Sequence, residues 1–153
     1  MKVDLLSHVA TMRSATTVYD LRCATLAFVH EFGFRSAYFM SPIAGDPSVG
    51  RGLTNAGFSE AWARAYRAGL YRSDPLPRIA LHHSRPFRWG ELLRTGYLQE
   101  PGKRYLRTLA QHDMADGLIV PAYGPGVRCG LMGLGHADDL DSYSEDDLSL
   151  IQM

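Results

Sequence analysis

The stretch GLIVPAYGPGVRCGLMGLG, residues 117–135, contains the clearest hairpin pattern in the chain. Two apolar runs, 117–123 and 127–135, are separated by Gly-Pro-Gly at 124–126. Apolar runs of this length joined by glycine and proline are typical of two antiparallel strands with a tight turn between them. The stretch therefore predicts a β-hairpin and, with it, an antiparallel sheet.

Capping motifs predict helices on either side of this hairpin. Ser144 with Asp147 forms a capping box, so we expect a helix to begin at Ser144. Thr17 with Asp20 resembles the same motif for a helix over 17–32. The residues of that helix expected to share one apolar face are Val18, Leu21, Thr25, Phe28, Val29 and Phe32.

Helical and strand patterns interleave along the rest of the chain. The first predicted elements are a strand over 34–41, a turn-rich connection over 43–52 and a helix over 59–71. A short helix opened by Asp74-Pro75 and an edge strand over 86–89 follow. The next helix begins at Glu100, with Tyr105, Leu106 and Leu109 facing inward. This order predicts an α/β/α sandwich around a central antiparallel sheet of about five strands, similar to GAF and PAS domains. Such a layered fold leaves room for a cavity between one sheet face and its helices.

The composition indicates one globular domain over residues 1–153. Hydrophobic residues make up 46% of the chain and charged residues 21%, which is typical of a packed core. The 16 basic and 16 acidic residues cancel, whereas a surface that binds nucleic acid usually has a basic excess. The sequence contains no apolar run of membrane-spanning length and no signal-peptide pattern. We therefore expect a cytoplasmic protein without membrane contact, with Cys23 and Cys129 as buried free thiols.

The sequence patterns of enzymes are missing. His82 and His83 are adjacent, whereas two metal ligands on a helix need a three- or four-residue step. The sequence has no glycine-rich phosphate loop and no nucleophile elbow. The acidic residues at 138, 139 and 141 are too few for a calcium loop and indicate a solvated surface. The sequence therefore predicts no catalytic residue, no metal site and no cofactor, and we do not expect an enzyme.

The segment 58–89 is rich in aromatic residues around an Asp-Pro pair. Trp62 and Tyr66 lie one helical turn apart, and aromatic residues at this spacing usually belong to a core. Tryptophan and tyrosine also carry a polar group that needs a partner when buried, and a buried Asp74 needs donors such as a ligand amide. An apolar pocket with a few directed hydrogen bonds is the usual small-molecule site, and the segment predicts one.

The same segment carries a resemblance to a known family. The chain resembles the autoinducer-binding domain of LuxR-type quorum-sensing regulators. The residues that match the signature of that family are Trp62-x-x-x-Tyr66, Tyr71, Asp74-Pro75, Trp89 and Gly117. The resemblance implies an N-acyl-homoserine lactone held between sheet and helices, a homodimer, and DNA binding by a separate C-terminal helix-turn-helix domain. The helix from Ser144 has a well-formed start and is cut short, so we expect the natural chain to continue.

The resemblance also implies roles for individual side chains. Trp62 would donate its indole N–H to the lactone carbonyl, Asp74 would accept the ligand amide N–H, and Tyr66 would reach the acyl carbonyl. Trp89 would pack on the lactone ring. These roles agree with the chemistry, because indole only donates, carboxylate only accepts and phenol does either. The family positions that line the acyl chain match Tyr38, Tyr71, Tyr105, Leu109, Met114, Ile119, Leu131 and Gly133.

Two site positions depart from the family pattern. Phe58 stands where some members have a tyrosine that bonds the ligand, and Gly133 stands where some have a serine or threonine. We therefore expect fewer contacts to the acyl carbonyl and more room beside it, enough for a bulky or aromatic acyl group. Two alternatives stay open. One is a sensor domain for a non-lactone metabolite or host signal, and the other is an acyl-binding enzyme.

Overall fold

One antiparallel sheet forms the centre of the protein in its computed structural model, which describes residues 4–46, 52–126, 128–135, 137 and 139–153. The strands within these residues are β1 (Ser36–Ser41), β2 (Gly52–Ala56), β3 (Phe87–Arg88), β4 (Gly117–Tyr123) and β5 (Cys129–Gly135). They lie in the order β2-β1-β5-β4-β3, and each neighbouring pair is antiparallel. The predicted antiparallel sheet is confirmed.

The hairpin of β4 and β5 lies where the sequence predicts it. All seven residues of β4 pair with residues of β5. The amide of Gly124 donates to the carbonyl of Arg128 over 2.9 Å at the turn. Val127, which we expected at the start of the second strand, lies outside the described residues. β5 also pairs with β1, and this register places Tyr38 opposite Gly133.

Seven α-helices flank the sheet within the described part of the chain. They are α1 (Leu5–Ser14), α2 (Val18–Glu31), α3 (Glu60–Ala68), α4 (Leu76–Ala80), α5 (Trp89–Leu92), α6 (Glu100–Gln111) and α7 (Glu145–Gln152). Both predicted capping boxes are present. The Thr17 side chain accepts the amide of Asp20, and the Ser144 side chain accepts the amide of Asp147.

Two hydrophobic cores lie on opposite faces of the sheet. Ile119 belongs to one core, and its neighbours Leu118 and Val120 belong to the other, because successive strand residues point to opposite faces. The first core includes residues of α3, α4 and α6, and the second includes residues of α2 and α7. The predicted α/β/α sandwich is therefore confirmed.

Two elements do not follow from the sequence patterns. α1 buries none of its residues and begins at Asp4, whose carboxylate accepts the amide of Ser7 over 3.1 Å. Leu5, His8 and Met12 share one partly buried face of α1, so its apolar pattern is weak and its cap is the clearer signal. β2 comes after a connection that we expected to be turn-rich up to residue 52, and residues 47–51 of that connection lie outside the described residues.

Three expectations about burial in α2 are wrong. Val18 and Leu21 are 64% and 41% exposed, because the buried part of α2 begins only at Ala24. Cys23 is exposed in the same helix, while Cys129 is a buried free thiol as expected. The apolar face of α2 is therefore shorter than its sequence pattern indicates.

The ends of two elements near the predicted site also differ from expectation. Gly69 adopts a φ of 140°, a region that glycine enters readily, and it ends α3 before Tyr71. Tyr71 lies in the 3₁₀ turn Leu70–Ser73 that follows. Trp89 is the first residue of α5 and not the last residue of edge strand β3. Tyr71 thus lies in a 3₁₀ turn, and Trp89 lies at the start of a four-residue helix.

Candidate functional site

α3 carries Trp62 and Tyr66 into the core beneath α4 and α6. Ser59 caps the helix, since its hydroxyl accepts the amide of Trp62 over 3.3 Å. Trp62 and Tyr66 are 0% and 3% exposed, and their four-residue spacing places them on one helix face. The side chain of Asn55 makes two hydrogen bonds with the backbone of Phe58, at 2.9 Å and 3.1 Å. The start of α3 is therefore held firmly in place.

An aromatic cluster surrounds Trp62. Its ring centroid lies 5.2 Å from that of Tyr38, 5.7 Å from that of Phe58 and 5.5 Å from that of Tyr66. Tyr105 of α6 meets Tyr66 edge to face, with the centroids 6.4 Å apart. Aromatic pairs at about 4.5–7 Å stabilise one another beyond their simple burial. The structure therefore brings these five predicted site residues together.

The carboxylate of Asp74 lies at the edge of this cluster. The hydroxyl of Tyr66 donates to Oδ2 over 2.8 Å, and the amide of Leu76 donates to Oδ1 over 2.9 Å. The same hydroxyl lies 3.3 Å from the sulfur of Met40. In many turns, an aspartate side chain accepts the backbone amide of the residue two positions later. Both carboxylate oxygens of Asp74 are thereby oriented by the protein.

Two polar atoms in this core have no hydrogen-bond partner among the described residues: Nε1 of Trp62 and the hydroxyl of Tyr105. Both side chains are at most 1% exposed. An unpaired polar group in a core costs about 1–3 kcal/mol. Most buried polar groups in folded proteins are paired, so two unpaired ones in one cluster need an explanation.

The polar groups of the cluster influence one another. Burial raises the pKa of the Tyr105 hydroxyl well above its usual value, and the charge of Asp74 raises it further. The hydroxyls of Tyr38 and Tyr66 also raise the pKa of Tyr105, whereas the indole N–H of Trp62 lowers it. Burial, followed by the charge of Asp74, also raises the pKa of Tyr38. The groups therefore converge on one region, although the indole N–H and the Tyr105 hydroxyl do not reach hydrogen-bonding geometry.

Trp89 packs against the start of β4. Its indole N–H donates to the carbonyl of Met114 over 3.0 Å, and its ring occupies the space above Gly117. A Cβ atom on Gly117 would lie 1.9 Å from this ring, so only glycine fits there. Arg88 forms an ion pair with Asp116 and ties β3 to the residue before β4. Because its polar group is already paired, Trp89 has only its ring to offer a ligand.

Tyr38 fills the space beside Gly133. A Cβ atom at Gly133 would lie 2.1 Å from the Tyr38 ring, which stands across the β1–β5 ladder. Phe58 supports the other side of this ring, with the centroids 5.3 Å apart. The expectation of free room at Gly133 is therefore wrong, because the side chain of the neighbouring strand occupies it.

The remaining predicted residues belong to the same core. Leu109, Met114, Ile119 and Leu131 are each at most 3% exposed, and Tyr71 is partly buried at its edge. The core also contains residues that we did not predict for the site, namely Met40, Ile43, Leu76, Ala80 and Leu98. Hydrophobicity is the only sequence signal of these residues, and it does not show which core a residue joins.

An open groove of about 920 Å³ borders this core at α4 and the start of α6. Of the predicted site residues, only Tyr71 and Asp74 line it. Its other polar lining residues, which we did not predict, are Arg72, Ser73, Arg78, His82, His83, Tyr97 and Gln99. Asp74 therefore lies at the boundary between the groove and the buried aromatic cluster.

The part of the chain that the structure describes contains neither a cluster of metal-ligating side chains nor a membrane-spanning helix. No three His, Cys, Asp or Glu side chains of that part come together as a metal ion would require. None of its helices combines the length and apolar character needed to cross a bilayer. Residue 138 of the predicted acidic surface lies outside the described residues.

The sequence matches one family over most of its length. The family model described as autoinducer binding domain covers residues 17–153. The chain therefore belongs to the autoinducer-binding domains of LuxR-type quorum-sensing regulators. This family is one of ligand-binding regulator domains and not of enzymes. No curated protein matches the chain in sequence.

Solved structures share the fold at low sequence identity. The N-acylhomoserine-lactone-dependent LuxR-family transcription factor CepR2 from Burkholderia cenocepacia has a TM-score of 0.69 and 16% identity, over 97% of this chain and 84% of that chain. SdiA from Escherichia coli has a TM-score of 0.73 and 12% identity, over 96% of this chain and 60% of that chain. SdiA in complex with octanoyl-rac-glycerol has a TM-score of 0.70 and 14% identity, over 99% and 62%. The chain thus spans less than two thirds of SdiA, and the likeness concerns the fold.

Proposed function

We propose that this domain binds an N-acyl-homoserine lactone in the core between the sheet and helices α3, α4 and α6. The observation that carries the proposal is the buried, unpaired indole N–H of Trp62. Tyr66 packs on the Trp62 ring, with centroids 5.5 Å apart, and bonds the carboxylate of Asp74 through its hydroxyl. Because indole only donates and carboxylate only accepts, the two suit a ligand that has both a carbonyl and an amide N–H. The head group of an N-acyl-homoserine lactone has both.

Each side chain has a role in the proposed complex. Trp62 donates to the lactone carbonyl, and Asp74 accepts the amide N–H of the ligand. Tyr66 orients the carboxylate through its 2.8 Å hydrogen bond and lies next to the acyl carbonyl. Trp89 offers its ring to the lactone. The acyl chain contacts the remaining residues, which are Tyr38, Phe58, Tyr71, Tyr105, Leu109, Met114, Ile119, Leu131 and Gly133.

The kind of acyl group depends on Tyr38. Its ring fills the space at Gly133, and Phe58 has no hydroxyl to offer the acyl carbonyl. Because the ring is packed against Phe58 and Trp62, we expect an aromatic acyl group to require a larger movement of the ring than a straight chain does. A comparison of straight-chain and aryl lactones therefore reports directly on the position of Tyr38.

An acylglycerol is the second candidate ligand. It is favoured by the observation that SdiA, which shares the fold, has been solved with octanoyl-rac-glycerol. The hydroxyl groups of glycerol are able to accept from Trp62 and to donate to Asp74. An acylglycerol has no amide N–H, so it would use Asp74 through a hydroxyl group.

The regulatory proposal is that ligand stabilises the folded domain and its homodimer in the cytoplasm. A ligand that binds only the folded state stabilises that state by mass action. α1 and α2 leave apolar side chains for a second copy to cover, namely Leu6, Val9, Val18, Tyr19 and Leu21. We assign DNA binding to a separate helix-turn-helix domain, because this chain has no net charge and CepR2 is a transcription factor. Sedimentation of the chain with and without lactone tests the dimer.

Calorimetry on the full chain tests the ligand. The panel is N-octanoyl-homoserine lactone, N-phenylacetyl-homoserine lactone and octanoylglycerol. Trp62→Phe should weaken lactone binding about tenfold, because it removes the donor and leaves the ligand carbonyl unpaired. Ser149→Ala, which removes an exposed hydroxyl on α7, should leave the affinity unchanged. Binding of octanoylglycerol alone would favour the second candidate, and binding of none of the three would contradict both.

A further inference from the structure

Tyr105 occupies a position in the core where a phenylalanine would fill the same space. It lies on α6, is 1% exposed and packs edge to face on Tyr66. Its hydroxyl has no partner among the described residues. By contrast, the hydroxyl of Tyr66 donates to Asp74, and that of Tyr123 lies within hydrogen-bonding distance of two backbone carbonyls. A hydroxyl kept in a core without a partner destabilises the free protein, so its presence indicates a partner from outside the chain.

The chemistry of this partner follows from the neighbouring indole. Trp62 Nε1 is also unpaired, and the Trp62 and Tyr105 rings both pack on Tyr66, with centroids 5.5 Å and 6.4 Å from that of Tyr66. An indole N–H only donates, and a neutral phenol also has a proton to donate. Two converging donors are satisfied together by one oxygen with two lone pairs, which is what a carbonyl provides. A ring methylene would satisfy neither donor.

We propose that the Tyr105 hydroxyl and the Trp62 indole N–H donate to the same carbonyl oxygen of the ligand head group. Tyr105 is then a specificity-determining residue, and it selects head groups that present a carbonyl beside the amide. This inference rests on the proposed function, because it assigns the lactone carbonyl as the shared acceptor. It differs from that proposal in moving Tyr105 from the acyl chain to the head group.

Two ligands that differ only at the head group test this inference. N-octanoyl-homoserine lactone has the ring carbonyl, and N-octanoyl-cyclopentylamine has the same chain and amide without it. Tyr105→Phe should weaken the lactone about three- to tenfold and leave the cyclopentylamide within twofold, as measured by calorimetry on the full chain. Ser149→Ala, which removes an exposed hydroxyl on α7, should affect neither ligand.

The thermal midpoint of the free protein gives a second readout. Tyr105→Phe should raise it, because the variant removes an unpaired hydroxyl without leaving a cavity. An equal loss of affinity for both ligands, or no loss for the lactone, would overturn the role of Tyr105 while the proposed function stands. A lowered midpoint would overturn the claim that the hydroxyl lacks a partner. Failure of the unmodified chain to bind the lactone would overturn the proposed function and this inference together.

Discussion

Adding a methyl group at Gly133 should destabilise the protein through Tyr38. In Gly133→Ala the new Cβ would lie 2.1 Å, 2.3 Å and 2.8 Å from three carbons of the Tyr38 ring. Carbon atoms in contact are normally about 3.5–4.0 Å apart, so the ring must move by more than an ångström. Phe58 and Trp62, with centroids 5.3 Å and 5.2 Å away, limit that movement.

The size of the effect follows from this crowding. Overfilling a packed core costs about 1–3 kcal/mol, which for a domain of this length lowers the midpoint of thermal unfolding by about 2–4 °C per kcal/mol. Tyr38→Val alone should cost about 2–4 kcal/mol because it leaves a cavity. In the double variant the clash is absent, so its cost should fall below the sum of the single costs by about 1–3 kcal/mol.

Urea unfolding followed by tryptophan fluorescence gives the three free energies of unfolding. Gly52→Ala is the matched control, because among the described residues its Cβ would meet only the Ser41 carbonyl oxygen, at an ordinary 3.5 Å. The control should change stability by no more than about 0.5 kcal/mol. If the cost of the double variant equals the sum of the Gly133→Ala and Tyr38→Val costs within about 0.5 kcal/mol, the placement of Tyr38 over Gly133 is refuted.

Three further outcomes are expected. Asp74→Asn should weaken lactone binding about 10- to 100-fold in calorimetry, because it replaces a charged acceptor with a neutral one, and unchanged affinity would remove Asp74 from the site. The free energy of unfolding should fall as the pH rises above about 10, because tyrosines ionise in the unfolded state while burial keeps Tyr38 and Tyr105 protonated in the folded state. With phenylalanine at both positions, the urea midpoint should fall less over the same pH range. A thiol reagent should modify exposed Cys23 in the native protein and reach buried Cys129 only on unfolding, and rapid reaction of both thiols would contradict the packing around β5.

The parts of the fold predicted correctly have local signals in the sequence. A capping box needs only two side chains three residues apart, and this is enough to place the starts of α2 and α7. The hairpin needs only its turn and the flanking apolar runs. α1 shows the limit of this approach, because a helix that is only partly buried has a weak periodic pattern.

The sequence indicates which side chains the candidate site would use but not how they are arranged. The polar identities of Trp62, Tyr66 and Asp74 are visible in the sequence, and the structure brings them together. Tyr38 fills the space at Gly133 because the two residues face each other in the pairing of β1 with β5. Register is set by long-range packing, so no local pattern contains it. The unpaired hydroxyl of Tyr105 likewise emerges only when its neighbours in space are known.

The alternation of the two cores along each strand gives the sheet a mechanical property. Ile119 faces the aromatic cluster, while Leu118 and Val120, its neighbours on the same backbone, face the core under α2 and α7. Since covalent bonds join these residues, a strand shifted by a molecule lodged on one side carries the side chains of the other side with it. The sheet is therefore the shared wall of both cores, and α7 packs on β4 from the side opposite the aromatic rings.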